Sequence, residues 1–510
     1  MTGPVWRVEL ANEAATRALA HEIAEFVGAD DLVTLSGDLG AGKTTFAREL
    51  IRTIVGDPEL ETPSPTYTLM QVYDGPHFPI VHADLYRVKH PSEMTELGWD
   101  EAAEGALVLV EWAARAGSAL PDDRLDIALF TDLKRGPDWR GAEIRGHGSF
   151  ERRLLRSHGA RLVLEQSGWD QAERRHMQGD ASSRAYEMLV KPSGETAILM
   201  ISPPRPDGPP VKNGKPYSAL VHLAETIRPF VAMDEALRAQ GFSAPQIYAA
   251  DLDGGFLVLE NLGAEGVVGP QGPIPERYGE ATILLAHLHV RDLPDQIPLA
   301  GARYAIPPYD LDALLTEAEL LLDWYAPHVA GQSFASGARA QYENAWRSAL
   351  AGPLAEPKTW VLRDYHSPNL IWLAGRKGVQ RVGLIDFQDC VMGPAAYDVA
   401  SLLQDARLTV SDELELKLLG AYMQARRKMQ ADFDMAGFAA AYAVMGAQRA
   451  SKILGIFTRL DRRDGKPQYL AHIPRIKNYL RKNLGHPALA EVKAWFDQHL
   501  PGALADEVLG

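Results

Sequence analysis

The chain of 510 residues holds a single cysteine, Cys390. That excludes an intrachain disulfide, leaves Cys390 as a small packing residue and makes a reducing compartment the expected one. Long apolar runs are also missing. The longest, Met435 to Ala447, falls well short of the roughly 20 residues that span a bilayer, and Met1 to Arg17 has no apolar stretch of the secretory kind. The expected location is cytoplasmic, with no membrane partner. Positive charge is in deficit: 52 Lys and Arg face 67 Asp and Glu, a net charge of −15. Such a surface does not wrap bare nucleic acid, and only a local basic patch is left open. The remainder is ordinary, with 46% hydrophobic and 23% charged residues, enough for full cores without metals or disulfides. The length predicts about three compact units of roughly 150 residues each.

Chemistry concentrates first between Val361 and Cys390. Asp364 is followed five residues later by Asn369, and a short apolar strand, Val382 to Ile385, ends in Asp386. This is the spacing of a phosphotransfer centre: Asp364 accepts the proton of a substrate hydroxyl, while Asn369 and Asp386 offer hard oxygens to Mg²⁺ on the phosphates.

A second phosphate machine lies far upstream. Asp31 to Ser36 reads as a buried strand feeding Gly37-Asp38-Leu39-Gly40-Ala41-Gly42-Lys43-Thr44-Thr45, and Phe46, Leu50, Ile51 and Ile54 then recur at helical spacing. The glycines let backbone amides converge on ATP phosphates, Lys43 neutralises them, and Thr44 reaches Mg²⁺. Two strands end in acids, Ile80 to Asp84 and Leu107 to Glu111. The stiff Thr62-Pro63-Ser64-Pro65-Thr66 segment lies before them, an ordinary loop on its own residues.

These motifs, with His82-Ala83-Asp84-Leu85-Tyr86-Arg87 and Glu111-Trp112, resemble the TsaE (YjeE) family over about residues 5 to 150. That family is the ATPase subunit of the bacterial system that makes threonylcarbamoyladenosine in tRNA. The resemblance implies low turnover until transferase subunits of the TsaB/TsaD type bind, with tRNA met indirectly through them. It also implies that Thr44 and Glu111 hold Mg²⁺, that Thr66 belongs to a nucleotide-sensing switch, that Asp84 acts near the γ-phosphate, and that Trp112 sits by the nucleotide.

A Gly- and Arg-rich stretch begins at Lys134 and runs through Arg140, Arg145, Arg152, Arg153, Arg156 and Arg161. Glu143 to His147 is the expected last strand of the first module and Ser149 to Gly159 the connection, read as a solvated edge or a surface helix or, alternatively, as a basic contact with tRNA phosphates. Arg161 to Ala172 is expected to be helical. Gly179-Asp180-Ala181-Ser182-Ser183-Arg184 then precedes a hairpin of Tyr186 to Lys191 and Thr196 to Ile201, and Gly255 to Leu262 reads as a strand ending at a hinge. Ser182 and Arg184 fall where a kinase drapes its phosphate loop; Glu260 and Leu262 fall where it meets adenine. Tyr278 to Arg291, Leu311 to Tyr325, Ala335 to Leu350, Leu414 to Met429 and Phe433 to Thr458 carry helical patterns. His287 and His289 read as structural, and Asp398 as a buried brace.

Asp364, His366, Asn369, Asp386 and Gly393-Pro394-Ala395-Ala396-Tyr397-Asp398 look like the aminoglycoside phosphotransferase and choline kinase superfamily. Leu-Arg-Asp-Tyr-His-Ser-Pro-Asn-Leu is similar to the cell-wall sugar kinases that phosphorylate the anomeric hydroxyl of N-acetylmuramate and N-acetylglucosamine in peptidoglycan recycling. Two features depart from the superfamily: Met200 stands where an ATP-binding lysine is expected, with Arg184 the candidate substitute, and Leu362-Arg363 replaces the usual His before Gly-Asp.

The expected fold is an α/β P-loop domain (residues 1–156) fused to a two-lobed α+β protein-kinase-like domain, with lobes at 160–262 and 263–510. The expected function is an ATP- and Mg²⁺-dependent bifunctional fusion. The rivals for its second half are a regulatory pseudokinase, motivated by Met200, and a kinase for choline, an aminoglycoside or another small hydroxyl compound.

Overall fold

A computed structural model describes residues 5–504 apart from 91–92, 94–97, 118–119, 133, 178–183, 205–207, 329 and 332. The chain divides into two compact units, Met1–Asp170 and Gln171–Gly510.

The first unit is a seven-stranded sheet in the order Val5–Leu10, Arg140–His147, Arg124–Thr131, Leu32–Ser36, Leu107–Glu111, Pro79–Asp84, Met70–Asp74. The four strands Arg124–Thr131, Leu32–Ser36, Leu107–Glu111 and Pro79–Asp84 are parallel neighbours, and antiparallel strands form both edges. Leu107 and Leu109 face one core with Val33, Leu35 and Phe46, while Val108 and Val110 face another with Leu32, Val81 and Ala83. Burial on both faces accounts for the unbroken apolar run of Leu107 to Val110. Helix Lys43–Val55 starts at Gly42 and stops at Gly56, both left-handed, and buries Phe46, Ala47, Leu50 and Ile51.

The connection expected at Ser149 to Gly159 is a helix, as one of its readings had it. A 19-residue helix, Ser149–Ser167, is capped by left-handed Gly168 and buries Phe150, Leu154, Ala160, Val163 and Leu164. Two of its arginines are committed: Arg153 grips Asp31 through two bonds of 2.6 and 2.7 Å, and Arg161 pairs with Glu165 at 3.2 Å. The helix expected over Arg161 to Ala172 thus ends early, and Glu173–Met177 is a strand.

The second unit opens with a five-stranded antiparallel sheet in the order Ile247–Asp251, Phe256–Glu260, Thr196–Ile201, Ala185–Val190, Glu173–Met177. The helix Arg228–Ala239 packs into a single core that continues through helices Pro275–His289, Leu311–Leu320, Ser336–Ala355, Asp412–Met429 and Met435–Arg462. The helical patterns of the sequence fall on these helices, with Leu321–Tyr325 a π-helical turn. Among the described residues no helix is long and apolar enough to cross a membrane.

Asp234 is an anomaly within this core. It is 1% exposed, and neither carboxylate oxygen has a hydrogen-bond partner among the described residues. Burial pushes its carboxyl up to about 8. The folded chain therefore keeps a proton that the unfolded chain releases near pH 4, so stability falls as pH rises from about 4 to about 8. Asp234→Asn is expected to abolish that slope and to exceed the wild type by ~2–5 kcal/mol at pH 8. Urea unfolding at pH 5 and pH 8 checks this; equal pH dependence in both proteins counts against it.

Candidate functional sites

In the first unit the P-loop follows the central strand. Gly37, Gly40 and Gly42 have φ of 135°, 80° and 104°, a backbone that side chains resist. A Cβ at Gly37 would sit 2.1 Å from the Leu129 carbonyl oxygen. Lys43 Nζ donates to the carbonyls of Gly37 (2.9 Å) and Asp38 (3.0 Å) and lies 4.0 Å from the centre of the Trp112 ring. Burial holds this ammonium below its ordinary range, against the pull of Glu111, Asp84 and Asp38.

The two strand-end acids stand side by side, because Asp84 and Glu111 are register partners in adjacent parallel strands. Thr44 Oγ1 donates to Glu111 Oε2 at 3.0 Å, and Thr66 Oγ1 donates to Asp84 Oδ2 at 2.8 Å. A cavity of 760 Å³ joins Leu39, Gly40, Ala41, Gly42, Lys43, Thr44 and Thr45 to Thr66, Asp84, Glu111 and Trp112. Sequence reasoning missed two contributors. His82 Nε2 lies 3.0 Å from Glu111 Oε1, and Arg140 lines the cavity from the edge strand. Hard oxygens beside an amide-rich helix start are the donor set a magnesium–nucleotide complex requires.

In the second unit two strand pairs hold the phosphotransfer loops together. Lys358–Val361 pairs with Val391–Pro394, and Leu370–Trp372 pairs with Val382–Leu384, so the loops 362–369 and 385–390 lie abreast. Asp398 accepts from the amides of Leu362 (2.6 Å) and Arg363 (2.9 Å), as the brace expected from the sequence. Burial raises its carboxyl to about 7 against those two donors. A second brace went unforeseen: Asp405 Oδ2 accepts from the Ser367 amide at 2.9 Å.

Asn369 Nδ2 donates to the Asp364 carbonyl oxygen at 2.9 Å and approaches Asp386 Oδ2 at 3.4 Å. Its amide nitrogen is thereby committed to these two acceptors, and Asn369 Oδ1 takes part in neither bond. Asp364 itself is ionised. Burial works to raise it, but His366, Lys452, Arg363 and Arg449 hold it below the usual carboxylate range.

Beneath the loop lies an ion cluster in which Arg363 and Glu317 are buried and Lys452 nearly so. Arg363, at φ 65°, donates to Glu317 and to the Val221 carbonyl (2.8 Å), and Glu317 also receives Lys452 at 2.8 Å and Tyr309 Oη at 2.5 Å. Burial alone would raise the Glu317 carboxyl, yet Lys452 and Arg363 hold it at about 2. The guanidinium spans the Glu317 carboxylate and the Val221 carbonyl, and these bonds hold the left-handed backbone directly before Asp364.

Arg184 Nη1 donates to Asp386 Oδ1 at 2.9 Å, which brings the candidate cation to the phosphotransfer centre from 202 residues away. Met200 is 1% exposed within the core. Ser182 lies outside the described residues. Glu260 ends its strand with its carboxylate bound by Arg376 (2.9 Å) and its amide by the Gln246 carbonyl (2.7 Å), while Leu262 packs over Gly383. His289 is buried with Nδ1 2.9 Å from Tyr422 Oη. No group of three or more His, Cys, Asp or Glu placed to hold a metal occurs among the described residues.

Comparison with known proteins gives two matches along the chain. Residues 10–136 match the family model of the threonylcarbamoyl adenosine biosynthesis protein TsaE, and residues 174–438 match that of the phosphotransferase enzyme family. The chain is 39% identical over 351 residues to an N-acetylmuramate/N-acetylglucosamine kinase of Caulobacter vibrioides, covering 66% of this chain and 95% of that protein. It is 42% identical over 120 residues to a tRNA threonylcarbamoyladenosine biosynthesis protein TsaE of Rickettsia bellii, covering 24% of this chain and 83% of that one. Among solved structures, Bacillus subtilus YdiB matches at 30% identity with a TM-score of 0.26, covering 31% of this chain and 97% of that chain.

Proposed function

From a chain that belongs to the phosphotransferase enzyme family, with a TsaE-family domain ahead of it, we propose that two nucleotide-using activities share one polypeptide. The first unit is the ATPase component of tRNA threonylcarbamoyladenosine synthesis. The second transfers the γ-phosphoryl group of ATP to the anomeric hydroxyl of N-acetylmuramate or N-acetylglucosamine, in the cytoplasmic recycling of peptidoglycan.

One observation carries the kinase reading: Asn369 ties the backbone of Asp364 to the carboxylate of Asp386. The general base and the ligand pair are thus fixed in one frame. Asp364, ionised and braced by Asp398, accepts the proton of the acceptor hydroxyl. An anomeric hydroxyl is more acidic than an ordinary alcohol, so a carboxylate is an adequate base. Asn369 and Asp386 are the residues that would hold Mg²⁺, which when bound supplies charge neutralisation on the phosphoryl oxygens. Arg184 beside Asp386 supports an active kinase against the pseudokinase alternative, since it supplies the cation that Met200 does not. Glu260 and Leu262 would mark the adenine edge.

In the first unit Lys43 and the loop from Gly37 to Thr45 would bind the ATP phosphates. Thr44 with Glu111 would hold Mg²⁺, with Trp112 by the nucleotide. Thr66 on Asp84 would couple the Pro-Ser-Pro-Thr segment to nucleotide state. Transferase subunits of the TsaB/TsaD type are the expected partners.

Incubating the intact chain with labelled ATP and each amino sugar is expected to give an alkali-stable, acid-labile sugar 1-phosphate. A preference for choline or an aminoglycoside over both sugars would overturn the acceptor assignment. ATP hydrolysis by the first unit is expected to rise on adding the transferase subunits, and a flat rate would count against that half.

A further inference from the structure

Residues two apart in a strand share a side, so Ile80, His82 and Asp84 form one row of the strand Pro79–Asp84. Beside that row run Leu107, Leu109 and Glu111, their register partners in the neighbouring parallel strand. Ile80, Leu107 and Leu109 join Phe46 and Leu50 of the P-loop helix in one apolar core. His82 stands among them at 1% exposure. An imidazole there costs desolvation that an apolar side chain would not, unless a hydrogen bond compensates.

His82 makes one such bond among the described residues, from Nε2 to Glu111 Oε1 at 3.0 Å, while its Nδ1 has no partner. A carboxylate accepts and does not donate, so Nε2 carries the ring proton. The two strand-end acids are held differently. Asp84 Oδ1 accepts from the Tyr86 backbone amide at 2.9 Å, and its Oδ2 from Thr66. The Glu111 carboxylate has no backbone donor among the described residues: Thr44 Oγ1 bonds Oε2 at 3.0 Å, and His82 bonds Oε1. Thr44 is itself the other half of the pair that would hold Mg²⁺, so it does not fix Glu111 from outside that pair. His82 does, and it is not part of the lining of the nucleotide cavity.

We propose that His82 is a positioning residue, whose Nε2–H holds the Glu111 carboxylate in the orientation that binds Mg²⁺ beside Thr44. This rests on the magnesium-dependent ATPase reading of the first unit above. A donor behind a ligand carboxylate fixes its direction, and losing such a donor typically costs about 10–100-fold in metal affinity.

The test is calorimetric titration of the intact chain with a non-hydrolysable ATP analogue over a series of Mg²⁺ concentrations and in EDTA. The binding phase that Lys43→Ala removes belongs to the first unit. His82→Leu deletes the donor with a side chain suited to the apolar row around Ile80 and Leu109, and His82→Gln returns a side-chain N–H. His82→Leu is expected to raise the Mg²⁺ midpoint of that phase about tenfold or more and to leave the affinity in EDTA within about twofold of wild type. His82→Gln is expected to recover most of the loss. A His82→Leu midpoint at the wild-type value, an affinity in EDTA that falls in step with it, or a His82→Gln as impaired as His82→Leu overturns the positioning role alone. A wild type whose first-unit phase does not respond to Mg²⁺ overturns the magnesium-dependent reading and the positioning role together.

Discussion

Asp364→Asn is expected to lower kcat for sugar phosphorylation by about 10²–10⁴-fold and to leave ATP hydrolysis by the first unit at its wild-type level. The substitution is nearly isosteric, and both braces of the loop act on backbone amides of Leu362, Arg363 and Ser367 rather than on the Asp364 side chain. The geometry therefore survives while the proton acceptor is lost. Because His366, Lys452, Arg363 and Arg449 hold Asp364 below the usual carboxylate range, the wild type carries no activity loss from protonation of this group at neutral pH. Initial rates with N-acetylglucosamine decide the matter. A variant within tenfold of wild type would remove Asp364 from the role of base.

Lys43→Ala is the converse and is expected to abolish ATP hydrolysis by the first unit while sparing sugar phosphorylation. A unit charge about 4 Å from a phosphate at an effective dielectric near 20 is worth roughly 4 kcal/mol before desolvation, or about a thousandfold in rate. The ammonium is already drawn to the carbonyls of Gly37 and Asp38 at the neck of the loop. Its removal deletes the charge from the one place where the helix start cannot replace it. Hydrolysis measured with the transferase subunits present, beside a sugar assay on the same preparation, separates the two sites. Loss of both activities from either substitution would contradict their independence.

The two active loops were legible in the sequence because their chemistry is local. A phosphate cradle needs glycines, Lys43 and Thr44 within one turn, and a phosphotransfer loop needs Asp364 and Asn369 on one short arc. Helices with a strong apolar period were legible for the same reason. Strand Glu173–Met177 was not, since its five residues are almost all polar and exposed, the composition that protects a sheet edge from further pairing. Helix Ser149–Ser167 was legible only in pieces, a surface helix at its start and a helical pattern from Arg161, because its arginines hide an apolar face that buries Phe150 and Leu154.

The sequence by itself determined the two families and the order of residues along each loop. Only the tertiary structure decided which charges meet: Arg184 with Asp386, Arg363 and Lys452 with Glu317, Thr44 with Glu111, Asp405 with Ser367. The reason is physical. A buried charge is tolerated only with a partner, and these partners stand far apart in the chain, where no spacing rule connects them.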